Sequence, residues 1–217
     1  ENFGVKITYA EQDKPRGLPD AFKIGKKFIG KDNISLILGD NFFYGQSLSE
    51  KLKRASKLKK GAIIFSYPVK NPSRFGVVTL KGKKIVSLIE KPTNTNSNLA
   101  ITGLYFFDNS VVKKTLSLKN SKRNELEIID LLKMYKKNNL LKTEALGRGA
   151  AWLDAGTIED FNQTSLFVSA IEKRQGLKIA CLEEIAFFNK WINKNKLREA
   201  ISFYGNCDYS KYLRGLF

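Results

Sequence analysis

Two acidic residues sit where an apolar run gives way to glycine. In Leu38-Gly39-Asp40-Asn41, Asp40 lies just past the run Ile34-Ser35-Leu36-Ile37-Leu38. Open α/β sheets bind ligands beyond the carboxyl ends of their strands. Gly39 lets a backbone approach closely, and a carboxylate there suits Mg2+, which takes one or two such groups and completes its shell with water and phosphate oxygens. The same residues also fit a Gly-Asp-Asn turn without a ligand. In Trp152-Leu153-Asp154-Ala155-Gly156-Thr157, Asp154 stands at a second strand-to-helix junction. It can be the second carboxylate of a metal site with Trp152 walling a sugar, or simply an acid favoured by a helix dipole. Glu90-Lys91-Pro92 offers an acceptor for two sugar hydroxyls and a point charge for a phosphate; the plainer reading is an exposed charge pair. Gln12 can pair with a base edge through its amide, and Gly17 can let a base lie against the backbone; the alternative is a Pro-Gly turn.

The chain has no histidine, the usual proton carrier near neutral pH. That argues against triad and zinc hydrolases. It favours a nucleophile that is already anionic, as in phosphoryl or nucleotidyl transfer, where positioning and charge neutralisation do most of the catalysis.

The elements that must position these residues alternate between strand and helix. Alternation predicts a strand over 5–10, a short helix over 21–28 ended by Gly30, and buried parallel strands over 34–38 and 62–67. Ser49 is expected to cap a basic helix reaching Lys57. A hairpin is predicted over 75–80 and 85–89, turning at Lys81-Gly82-Lys83, then a strand over 99–107, an amphipathic helix over 124–135 and a short strand over 143–146. Thr157 with Asp160 resembles a capping box, opening a helix that Gly176 stops near Gln175. Shorter helices are predicted over 183–192 and 196–203. The pattern implies an α/β fold: a Rossmann-like, mixed, mostly parallel sheet over residues 1–156, with a helical region over 157–217.

At 217 residues, 42% hydrophobic and 27% charged, the composition is that of a globular protein. The net charge of +17 raises nucleic acid as a partner, but the basic residues are mostly Lys and spread along the chain, whereas nucleic-acid sites favour Arg with interleaved aromatics. Scattered solubilising charge is the preferred reading, and neither nucleic acid nor membrane is expected as a partner. Two cysteines, Cys181 and Cys207, have no metal spacing and point to a reducing, cytoplasmic compartment.

Taken in order, these segments resemble glucose-1-phosphate thymidylyltransferases. The likeness is carried by Leu38-Gly39-Asp40-Asn41-Phe42-Phe43-Tyr44-Gly45, Arg74-Phe75-Gly76-Val77-Val78, Glu90-Lys91-Pro92, Ala100-Ile101-Thr102-Gly103-Leu104-Tyr105, Gly147-Arg148-Gly149-Ala150-Ala151-Trp152-Leu153-Asp154 and Glu183-Glu184-Ile185-Ala186. The resemblance implies dTTP and glucose 1-phosphate as substrates, dTDP-glucose and pyrophosphate as products, Mg2+ as cofactor, a place in dTDP-sugar (for example dTDP-rhamnose) synthesis, and a homotetramer. It also implies roles. Asp40 and Asp154 would bind Mg2+. Gln12 and Gly17 would hold the thymine. Asn41, Gly76, Glu90 and Ile101 would line the glucose pocket with Tyr105 nearby. Lys91 and Arg123 would hold the sugar phosphate, and Trp152 would pack beside the site.

The family's pattern begins earlier, with a strand and a Gly-rich triphosphate-gripping loop that this sequence lacks. The expectation is a core without its first strand, and an inactive fragment of such an enzyme is one alternative. A sugar-nucleotide-dependent glycosyltransferase is the other, although Gly39-Asp40-Asn41 is a poor Asp-x-Asp. Three departures stand out: Asp20 where the family usually has a neutral amide, Gln46 for a frequent His, and Phe188 for a common Arg.

Overall fold

In a computed structural model describing residues 3–217, the chain falls into two units. One is Ala10–Asp160; the other is Phe161–Phe217 with the stretch up to Tyr9. The first unit runs α1 (Asp20–Ile24), α2 (Lys26–Ile29), β1 (Ile34–Ile37), β2 (Asn41–Gly45), α3 (Leu48–Ala55), β3 (Ala62–Pro68), a 3-10 turn (Pro72–Arg74), β4 (Gly76–Lys81), β5 (Lys84–Glu90), β6 (Leu99–Phe107), α4 (Ser110–Leu116), α5 (Ile128–Lys137), β7 (Leu141–Ala145) and β8 (Ala150–Asp154).

β6 is the organising strand. All but its first residue are buried, as a strand covered on both faces must be. β3 pairs with it antiparallel, and β7 flanks β3 in parallel. Two further strands share β6: Ala100 pairs with Val77 of β4, and Leu104–Phe107 pair with β1. β5 closes the sheet beside β4. The pairings make β1, β3, β4 and β7 run one way and β5 and β6 the other, so the sheet is mixed as expected; among the described residues β3 and β7 are its parallel neighbours and the other pairings are antiparallel. β2 and β8 form a separate antiparallel ribbon in which Asn41 faces Asp154.

The core lies on both faces of the sheet. Phe22 of α1, Val111 of α4 and Leu132 and Tyr135 of α5 pack against Ile64, Val78 and Phe107. On the other face Phe65, Leu104, Phe106 and Trp152 form a second cluster. Ile64 and Phe65 enter opposite clusters because successive strand side chains point to opposite faces.

Several expectations need correction. Residues 34–38 are not a parallel strand buried between neighbours: β1 pairs antiparallel with β6, has no other strand partner among the described residues, and leaves Ile37 58% exposed. The helix expected over 21–28 is two, α1 and α2, broken at Gly25. Ser47, not Ser49, precedes α3, and its side chain makes no capping bond. α5 starts at Ile128, later than predicted, and α4 was not foreseen.

The second unit carries most of α6 (Ile158–Gln175), then α7 (Leu182–Phe188), α8 (Lys194–Tyr204) and α9 (Asp208–Arg214). Half of the expected capping box forms: the Asp160 N–H donates to Thr157 Oγ1 at 3.1 Å, while Asp160 Oδ2 accepts from the Thr157 hydroxyl at 2.9 Å. The strand predicted over 5–10 is absent. Val5, Ile7 and Tyr9 are exposed and pair with no strand. The start of the chain groups with the helices instead of the α/β core because Phe3 joins the Cys181, Leu197 and Leu213 cluster and Gly4 rests on the Trp191 backbone. Among the described residues no helix is long and apolar enough to cross a membrane.

Candidate active site

The site forms where β6 changes partner. The Leu38 N–H donates to the Gly103 carbonyl at 2.9 Å, continuing the β1 ladder. The Gly103 N–H donates to a side chain instead, Asn41 Oδ1 at 2.9 Å. The same Oδ1 accepts the Trp152 indole N–H at 2.6 Å, while Asn41 Nδ2 donates to Asp40 Oδ1 at 2.8 Å. One amide thus ties β2 to β6 and β8 and orients the first candidate carboxylate. A Cβ at 103 would lie 2.6 Å from Asn41 Cγ, so a side chain there would displace the amide.

Asp154 is brought to Asp40 by the β2–β8 register, reinforced by the Ala155 N–H donating to the Asp40 carbonyl at 2.8 Å. A side-chain carbon built on Gly156 would stand 3.5 Å from an oxygen of each carboxylate. The two acids therefore flank one small space beside a backbone without a side chain. Burial, then the Asp40 charge, pushes the Asp154 carboxyl up, and Arg74 partly offsets this. Arg74 donates to Asp160 Oδ2 at 2.9 Å. Among the described residues no group of three or more His, Cys, Asp or Glu gathers for a metal. A cation here would rest on two carboxylates and take water and phosphate oxygens for the rest, the coordination Mg2+ prefers.

A second cluster lies across β4 and β5. Gly76 pairs with Glu90, and a Cβ on Gly76 would come 3.3 Å from Glu90 Oε2 and 2.9 Å from Ile129 Cδ1. Burial, then the Glu127 charge, raises the Glu90 carboxyl; Lys91 and Arg123 oppose the rise. Lys91 is held at a positive φ of 41° with its N–H on the Phe75 carbonyl at 3.0 Å. Arg123 donates from Nη2 to both oxygens of Glu127, at 2.8 and 3.0 Å. Burial pushes Glu127 up, but hydrogen bonds from Arg123 and Ser121 outweigh it and hold its carboxyl low. Arg74-Phe75-Gly76 links the two clusters: the Arg74 charge opposes the rise of the Asp154 carboxyl, Phe75 packs edge-on against Trp152 at 5.0 Å, and Gly76 borders Glu90.

The remaining expected residues fall in different places. Gln12 Nε2 donates to Asp20. Gly17, at φ 92°, backs onto the Leu126 main chain, whose oxygen would lie 2.1 Å from a Cβ there. Ile101 and Tyr105 do not present side chains to an open pocket: they are 5% and 4% exposed within the core, since nearly all of β6 is sandwiched. Burial, then the Glu90 charge, drives the Tyr105 hydroxyl pKa upward. Trp152 is buried beside the site and props Asn41 through its indole N–H. The sequence reading missed Arg74, Gly103, Glu127 and Gly156. Gly103, a glycine inside an apolar strand, was the one with a usable signal, since such a glycine often marks close approach.

A mixed α/β sheet with paired carboxylates at a strand-end crevice is the architecture of nucleotide-transferring enzymes, and residues 1–170 match the nucleotidyl transferase family. A glucose-1-phosphate thymidylyltransferase of Neisseria meningitidis is 48% identical over 213 residues, which cover 98% of this chain and 74% of the relative. One from Mycobacterium tuberculosis is 43% identical with the same coverage. The chain belongs to the glucose-1-phosphate thymidylyltransferase family. A solved Bacillus anthracis structure assigned to that enzyme superposes with a TM-score of 0.70 at 34% identity, covering 76% of this chain and 66% of that one. A UDP-glucose pyrophosphorylase bound to UDP-glucose shares the fold at a TM-score of 0.65 and 24% identity.

Proposed function

We propose that this chain carries the site of a Mg2+-dependent nucleotidyltransferase that joins dTTP and glucose 1-phosphate into dTDP-glucose, releasing pyrophosphate. The observation that carries the reading is the convergence of Asp40 and Asp154 on the open space at Gly156. Mg2+ held by these two carboxylates would supply neutralisation of charge on the triphosphate oxygens. Around that space, Asn41 holds Asp40 in place. Glu90 accepts sugar hydroxyls from its half-buried position, and Lys91 with Arg123 attracts the sugar phosphate. Gln12 and Gly17 contact the base. A phosphate oxygen of the sugar attacks the α-phosphorus, a P–O bond forms, and the bond to pyrophosphate breaks. The nucleophile is already an anion, so the chemistry runs without a histidine.

The reading extends to a reducing, cytoplasmic setting, supported by the free cysteines Cys181 and Cys207. It extends also to a homo-oligomer, supported by the exposed apolar side chains Ile158, Phe161 and Leu166 on α6. The test is pyrophosphate release with dTTP, glucose 1-phosphate and Mg2+. Release that depends on all three, and is lost in Asp40→Asn, is expected. Turnover only with UTP or CTP, or sugar transfer from dTDP-glucose to an acceptor, overturns the assignment.

A further inference from the structure

Asp20 is a buried acid that the proposed reaction leaves unused. It is 4% exposed at the start of α1. Its Oδ2 accepts from Gln12 Nε2 at 3.0 Å and has Arg16 Nη1 3.8 Å away. The turn between them is anchored independently: the Leu126 N–H donates to the Arg16 carbonyl at 2.8 Å, and Gly17 lies against the same residue. A carboxylate accepts and cannot donate. The nitrogen of the Gln12 amide, and not its oxygen, must therefore face Asp20.

We propose that Asp20 is a positioning residue that holds the Gln12 amide in one of its two flip orientations, and so sharpens the preference of the site for one pyrimidine class beyond what a neutral amide at this position gives. The inference rests on the proposed contact of Gln12 with the base. Thymine and uracil carry a donor, N3–H, between two carbonyl acceptors. Cytosine carries an acceptor at N3 beside an amino donor. A glutamine amide can pair with either, but in opposite orientations: its carbonyl meets N3–H of a keto base, while its N–H meets N3 of cytosine. With one N–H of Gln12 spent on Asp20, the remaining carbonyl and N–H keep a fixed order. A neutral amide at position 20 offers both donor and acceptor, and would accept Gln12 either way round. The carboxylate removes that freedom, and the preference for the keto bases is sharpened.

The experiment uses the full chain, 15N-labelled, as wild type, Asp20→Asn and Asp13→Asn. The last removes a charge from the same turn at a residue whose side chain is 65% exposed. Side-chain amide spectra, with Gln12 assigned by its loss in Gln12→Glu, report whether one Nε2 proton is shifted and protected from exchange. Affinities for dTTP and dCTP are measured on the same samples. The expected result is a protected Gln12 proton in wild type and Asp13→Asn that is lost in Asp20→Asn. The dTTP-over-dCTP preference should fall on the order of tenfold in Asp20→Asn, the size of one charge-assisted hydrogen bond, chiefly by gain of dCTP binding. An unprotected Gln12 in wild type overturns the inference whatever the nucleotide affinities. Protection lost in Asp20→Asn with the preference intact overturns it alone, leaving the base contact standing. Protected Gln12 in a wild type that does not prefer dTTP overturns the base contact, and the inference with it.

Discussion

Replacing Asn41 with Ala removes one side chain and leaves three groups without their partner. Asn41 Oδ1 accepts from the Gly103 N–H at 2.9 Å and the Trp152 indole N–H at 2.6 Å, and Nδ2 donates to Asp40 at 2.8 Å. Trp152 is only 7% exposed, so little water can replace the lost acceptor, and an unsatisfied buried donor costs roughly 1–3 kcal/mol. Gly103 N–H, on a buried residue of β6, is a second such donor. Together they amount to about 2–4 kcal/mol. With a urea slope of about 1–3 kcal/mol per molar, the midpoint should fall by roughly 1–2 M. Unfolding is best followed by Trp152 fluorescence in a Trp191→Phe background, so that the signal comes from the α/β unit. Asn41→Asp keeps an acceptor for both donors and loses only the N–H to Asp40. It should recover part of the loss, more so in high salt where repulsion from Asp40 is screened. A midpoint for Asn41→Ala within about 0.3 M of wild type would refute the claim that this shared acceptor holds β2, β6 and β8 together.

Three further outcomes follow from the same geometry. Gly103→Ala puts a carbon 2.6 Å from Asn41 Cγ and should cost about 1–3 kcal/mol by overpacking; in an Asn41→Ala background most of that cost should vanish, which a double-mutant cycle measures. Mg2+ should raise the thermal midpoint of wild type by mass action, and Asp40→Asn and Asp154→Asn should each abolish the shift, read by scanning calorimetry with and without the ion. Glu90, raised by burial and Glu127, keeps a proton in the folded state at pH values where the unfolded chain has released it. Stability from this group is therefore lost as pH rises from the ordinary Glu range through the raised value. Glu90→Gln should be more stable than wild type near neutrality and indistinguishable below about pH 4, as urea midpoints at several pH values will show.

Much of this arrangement was legible in the sequence because it depends on local patterns. The 99–107 strand is an apolar run broken only by Thr102 and Gly103, and appears with those bounds. The hairpin turns at Gly82, and α6 begins at a Thr157–Asp160 cap and ends before Gly176. The acids of the site were also legible by type, since Asp40 and Asp154 each follow an apolar strand. Partnership was not legible. Nothing local distinguishes a buried parallel strand from β1, whose apolar residues pack against β6 on one side only. Nor does the alternation over 5–10 reveal that no strand pairs with it. The burial of Ile101, Tyr105 and Trp152 was not legible for a related reason: it is decided by layers on both sheet faces, which residue type does not report. Asn41 reads as a pocket residue, and only the fold shows that its oxygen is already taken.

The pairing of Asp40 with Asp154 is ultimately a matter of register. Side chains on a strand alternate faces, so sliding β8 by one residue against β2 would turn Asp154 away from Asp40 and bring Leu153 opposite Asn41. The ribbon is pinned at both ends. At one end Asn41 joins Trp152 to Gly103 across three strands. At the other, Gly45 pairs with Ala150 so closely that a Cβ on Gly45 would lie 2.7 Å from the Ala150 Cα. Neither Gly45 nor Trp152 carries a carboxylate or a cation, yet both fix where the second carboxylate stands. A side chain added at Gly45 would therefore impair cation binding while leaving both acids in the sequence. Residues that never meet the ligand set the geometry of those that do.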